Sequence, residues 1–146
     1  MLKAYRIFML NFATNFQIMA ALSYQNKVND IFNQACSCLK VTGFSFRVMK
    51  RQAPINTAKN YSVGYTNLKT KVIALDIFTP KKRQPKSINS ILRVLAHEIA
   101  HHQKMPYKQL YRGKLITRSH YPGFYRQVNK NIAKFKKDQE LGQFFQ

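Results

Sequence analysis

Between Ile88 and Lys104 two patterns share one segment. Ile88, Ile91, Leu92, Leu95 and Ile99 recur at helical spacing, and the run His97-Glu98-Ile99-Ala100-His101 falls across them. Apolar residues so spaced form a stripe that a folded chain must bury. His97 and His101 lie about 180° and 220° round the wheel from Ile88, on the side away from that stripe. The segment is therefore a helix that gives one face to a core and holds two imidazoles, one turn apart, on the other. Ser87 or Asn89 is placed to cap it, and Pro106 to end it. Whatever else the chain does, it must lay this helix over a core and leave its polar face open.

The spacing also carries chemistry. Side chains at i and i+4 share a helix face, so both imidazoles can reach one tetrahedral zinc ion, and Glu98 beside them can take a proton from water. A catalytic zinc needs a third protein ligand. His120 is the one histidine outside 97–102, and Glu140 is an acid on a later helix. Both remain open on the residues alone. His120 is preferred, because imidazole suits zinc and the position precedes a proline-started helix. His102 falls back toward the apolar stripe and reads as a packed or supporting histidine. Cys36 and Cys38 lie about 200° apart on a helix and read as small apolar residues. Two cysteines this close cannot staple a domain, which excludes a disulfide scaffold.

With 146 residues the chain has room for one domain of ordinary size, and 45% apolar residues, with 11 Phe and 8 Tyr, call for a packed core. A helix is expected over 22–39, ended by Gly43. Strands are expected at Phe44–Met49, Tyr61–Tyr65 and Lys71–Phe78, separated by a polar loop around Pro54 and Asn60 and a turn at Thr66–Thr70. The last two strands should pair as a hairpin beside the first, giving a three-stranded, mainly antiparallel sheet. Tyr107–Ser119 receives no assignment. Pro122 opens a last helix with Phe124, Val128, Ile132 and Phe135 on its apolar stripe. The fold class is α+β: an N-terminal helix, a small sheet, the His-Glu-x-x-His helix and a C-terminal helix. Two parts are expected, a segment 1–21 whose role the residues leave open and a domain 22–146.

The segment before Leu22 contains Asn11, Thr14, Asn15 and Gln17 and is not a spanning stretch. Lys3 and Arg6 ahead of it and Ala20-Ala21 behind it faintly resemble a secretory signal, but those polar residues favour a helix packed on the domain. The expectation is a soluble cytoplasmic protein with no membrane partner.

A strand (Val72–Leu75), a helix bearing His97-Glu98-x-x-His101, and then Ser119-His-Tyr-Pro-Gly-Phe-Tyr125 together resemble the SprT-like zinc metallopeptidases, and the related YgjP-like metallopeptidases share the arrangement. The likeness runs from about Leu22 to Lys137. It implies a small zincin-like domain with His97, His101 and His120 as ligands of one zinc ion and Glu98 as general base. The zinc ribbon that often follows this domain is absent from the sequence, and the spacer between His101 and His120 has no counterpart.

The leading functional reading is thus a zinc-dependent metalloendopeptidase acting on protein substrates. Oxyanion donors are sought among Tyr121 and Arg118, with Tyr111 and Arg112 also near in sequence. Twenty-five Lys plus Arg against 5 Asp plus Glu, a net charge of +20, attract polyanions. AT-rich coding explains abundant lysine but not the missing acids. Some SprT-like enzymes act on proteins crosslinked to DNA, so the resemblance extends to DNA, single-stranded or damaged, as a partner. Lys81, Lys82, Arg83, Lys86, Lys130 and Lys134 are the candidate phosphate contacts. The alternative is a basic nucleic-acid-binding module with a structural zinc and no proteolysis. A toxin or mobile-element accessory protein is the third reading.

Overall fold

The computed structural model describes residues 2–51, 54–59 and 61–146; Asn60, expected in the polar loop, lies outside the described residues. The first helix, α1, runs unbroken over Leu2–Leu39. Only its second half faces the core, through Val28, Phe32, Ala35 and Leu39. Residues 2–20 are exposed throughout, so this part does not pack on the domain as expected. The helix also stops earlier than Gly43. Lys40 takes a left-handed conformation (φ 55°) and the Val41 N–H returns to the Cys36 carbonyl at 3.0 Å, closing the C-terminus with a Schellman turn.

Three strands follow: β1 (Ser45–Val48), β2 (Gly64–Asn67) and β3 (Val72–Leu75). They form one sheet in the order β1-β3-β2. β2 and β3 make the expected antiparallel hairpin, with Gly64 opposite Leu75 and Asn67 opposite Val72. β1 lies on the far side of β3 and runs parallel to it, Ser45 beside Val72 and Val48 beside Leu75. The sheet is therefore mixed, not mainly antiparallel.

β2 is displaced from the expected 61–65, and Gly64 and Thr66 form its inward face. Thr66 bonds a histidine of the next helix while Tyr65 points to the opposite face, where it accepts from Arg47 at 2.6 Å. The cause is crowding. A Cβ on Gly64 would stand 2.5 Å from Leu75 Cδ2, 3.0 Å from the Ala74 carbonyl oxygen and 3.2 Å from Val94 Cγ1. β3 on one side and the helix on the other press so closely on this strand that glycine occupies the contact.

That helix, α2, spans Ile88–Gln103, and Ser87 caps it by accepting from the Ser90 N–H. Its stripe of Ile91, Leu92, Leu95 and Ile99 is buried against α1, β3 and the last helix, α3 (Pro122–Lys137). Between them Tyr107–Ser119 contains a hairpin, β4 (Tyr107–Tyr111) and β5 (Lys114–Arg118), joined by Arg112-Gly113 with both φ angles positive (48° and 75°). Two polar groups lock the frame. Asn131 of α3, fully buried, donates to the Ala96 carbonyl at 3.1 Å and to Gln103 Oε1 at 2.7 Å on α2. Asp76, also fully buried just after β3, takes a two-pronged contact from Arg83, 2.9 Å to each carboxylate oxygen. A short 3-10 turn, Gly142–Phe145, closes the chain.

Candidate metal centre

α2 and the start of α3 build the site between them. His97 and His101 stand one turn apart on the open face of α2, and His120, at the end of the segment that returns from β5, reaches them from the other side. The ligand-capable atoms of the three all lie within 4.8 Å of one another. His97 Nε2 and His120 Nε2 are 3.1 Å apart. Zinc–imidazole bonds of 2.0–2.1 Å in a tetrahedron place ligand nitrogens about 3.3 Å apart, so a zinc ion fits this donor set. Glu140 is not part of the cluster. It is exposed beyond α3, where its N–H donates to Asp138.

Phe124, in the first turn of α3 and fully buried, is the common surface on which the three rings rest. Its centroid lies 5.0 Å from His97, 4.5 Å from His101 and 5.1 Å from His120. Tyr125 stacks on the outer side of His120, and Ser119 Oγ lies 3.3 Å from its Nδ1. His102 is held apart from the cluster. It bonds Thr66 Oγ1 at 2.6 Å and meets the edge of Phe44.

Electrostatics prepare the cluster for a cation. Burial, then the neighbouring imidazoles His97, His120 and His102, push His101 down to about 4. Burial and His120 likewise hold His97 below its ordinary value. Neutral rings offer lone pairs, the form in which imidazole binds metal. Glu98 is nearly buried, and that burial pushes its carboxyl up to about 7. The three histidines and Glu98 line one open cleft of about 340 Å³, whose remaining wall includes Gly64, Tyr65 and Thr66 of β2 and Pro106.

Other expected site residues lie elsewhere. Tyr121 donates its hydroxyl to the Met105 carbonyl, Arg118 donates to Gln109, and Arg118 and Arg112 both sit over the ring of Tyr111. None of these lines the cleft, because each side chain is committed to the hairpin or its root. Among the basic candidates Lys81, Lys82, Lys130 and Lys134 are exposed. Arg83 is consumed by Asp76, and Lys86 donates to Tyr61 and to the Asp76 carbonyl. Cys36 and Cys38 are free and partly buried, and burial pushes the Cys36 thiol up to about 11. Sequence reasoning placed Phe124 on an apolar stripe and missed its contact with all three histidines; an aromatic four residues after His120 was the available signal.

No protein-family model matches the chain, and no curated protein does. One solved structure is similar in shape, the crystal structure of the metallopeptidase zymogen of Pyrococcus abyssi abylysin. It is 18% identical, over 80% of this chain and 87% of that one, with a TM-score of 0.44. At that level neither fold nor activity is taken from it.

Proposed function

We propose that this chain is a zinc metallopeptidase of the His-Glu-x-x-His type, with His97, His101 and His120 holding one metal ion and Glu98 as general base. The convergence of three imidazoles, two on one helix face and one from the segment before α3, carries the reading. A zinc ion in such a three-histidine set supplies Lewis acidity, polarising a carbonyl and making water acidic enough to attack it near neutral pH. Glu98 moves the proton. With its carboxyl pushed up to about 7, it accepts a proton from the attacking water and returns it to the amine nitrogen that leaves. β2 supplies the seat for substrate. It pairs with β3 on one side only and lines the cleft, so an extended peptide can add as a further strand across the histidines.

Proteins associated with or crosslinked to DNA are the substrates proposed. The exposed Lys81 and Lys82 ahead of α2, and Lys130 and Lys134 on α3, support a phosphate-bound approach. The test is a gel assay of zinc-loaded protein against a DNA-bound basic protein, with and without single-stranded DNA. Glu98→Gln should keep one zinc per chain and lose about 10²–10⁴-fold in turnover. Full activity in that variant rejects the mechanism. Cleavage without DNA keeps the peptidase and removes DNA from it. DNA binding with no cleavage in any lane leaves the nucleic-acid-binding module.

A further inference from the structure

The first half of α1 carries a second apolar surface on which no described residue packs. Leu2, Tyr5, Phe8, Phe12, Phe16 and Met19 fall within about 120° of the wheel, with no polar residue among them. All six are exposed, Phe12 at 62% and Phe16 at 70%. The rest of the circumference holds Lys3, Arg6, Asn11, Thr14, Asn15 and Gln17, interrupted by Ile7, Leu10 and Ile18. A contiguous exposed apolar stripe of this kind marks an interaction site.

We propose that this half-helix lies in the surface of an anionic membrane, with the six side chains inserted among the lipids and Lys3 and Arg6 at the headgroups. Three observations choose this occupant. No described helix is long and apolar enough to cross a membrane, so the segment lies on a bilayer and does not span it. Residues 1–29 hold three cations and no acid, in a chain of net charge +20, which matches negative lipid and opposes a second copy. A helical pairing with another copy would also lack opposite charges at its flanks. Third, the lipid-facing sector is turned about 150° from Val28, Phe32, Ala35 and Leu39, the residues that anchor the domain. The domain therefore rests on the side away from the bilayer, without steric conflict. The proposal reverses the expectation of no membrane partner and is independent of the peptidase reading.

The chain has no tryptophan, so Phe12→Trp places a single reporter at the centre of the sector. With full-length protein at physiological salt, vesicles of mixed phosphatidylglycerol and phosphatidylcholine should shift its emission to the blue and shield it from acrylamide. Adding the charge-neutral pair Phe8→Ser and Phe16→Ser should weaken partitioning by at least about a hundredfold, since both rings lose their apolar contact with lipid. Both positions project from the domain, so its folding is not at stake. Sedimentation with the vesicles but unchanged tryptophan emission would mean adsorption through the domain's lysines and overturn the proposal. A blue shift that needs no vesicles and grows with protein concentration would assign the surface to a second copy, and equally overturn it.

Discussion

Phe124 shows how much of a candidate metal centre can rest on a residue that would bind no metal. Its ring lies about 5 Å from each of the three imidazoles, so their relative positions depend on one aromatic surface. Phe124→Ala is expected to weaken zinc affinity about 10- to 100-fold, the size of effect usual for groups that orient ligands; competition with a chromophoric chelator measures it, and unchanged affinity would show that the helices alone place the rings. His97, Glu98 and His101 were legible because a helix fixes what i and i+4 share. His120 was preferred by chemistry and by resemblance, since no local pattern says that residue 120 returns to residue 97. The oxyanion candidates Tyr121 and Arg118 lie outside the cleft for a plain reason. Nearness in sequence to a histidine of the cluster does not aim a side chain: Tyr121 bonds Met105 at the root of the hairpin, and Arg118 bonds Gln109 within it.

At the level of elements, the helices were readable and the sheet only in part. α2 begins after Ser87, one of the two caps the sequence left open, and α3 at Pro122, because caps and apolar stripes act locally. β1 joins β3 in parallel, a pairing that alternation along one strand does not encode. β2 lies three residues on from the alternating Tyr61–Tyr65, because the close packing of β3 and α2 makes Gly64 and Thr66 its inward pair, a contact that alternation within the segment does not encode. The β4–β5 hairpin is almost wholly exposed, so no hydrophobic rhythm marked it, although Arg112-Gly113 forms a two-residue turn of the mirror-image kind. The loop between β3 and α2 depends on Asp76. Burial raises its carboxyl, but Arg83 and the Phe78 N–H outweigh that and hold it below the usual carboxylate range. Its contribution is then complete above the unfolded value of about 3.9 and is lost as pH falls through the lower folded value. Asp76→Asn leaves Arg83 without its charge partner and should cost about 3–5 kcal/mol at pH 7. Urea denaturation should show that gap closing in strong acid, and a pH-independent gap would rule out the ion pair as its source.

For the molecule as a whole, charge and core are separable. The core assembles from the second half of α1, the sheet, α2 and α3, while residues 2–20 add no buried side chain to it. Removing residues 2–20 should therefore leave the thermal midpoint within the change usual for surface substitutions, equivalent to about 0.5 kcal/mol. Calorimetry decides this, and a large fall would mean that the projecting half-helix supports the domain. The excess of cations was visible from composition, but not how it is spent. Arg83 and Lys86 serve the loop around Asp76, whereas Lys81 and Lys82 are exposed.

From Leu2 to Leu39 the first helix contains neither glycine nor proline, and so nothing along it serves as a swivel. A rod of this kind is about 57 Å long and transmits rotation as well as position. The two apolar stripes are keyed to each other like cams on a shaft. One residue inserted near Ala21 would turn the front stripe by about 100° against the domain, and seven would bring it back to within about 20° while lengthening the rod by about 10 Å. Attachment at the front end thereby dictates which way the histidine cleft faces, with an angular period set by the α-helix itself.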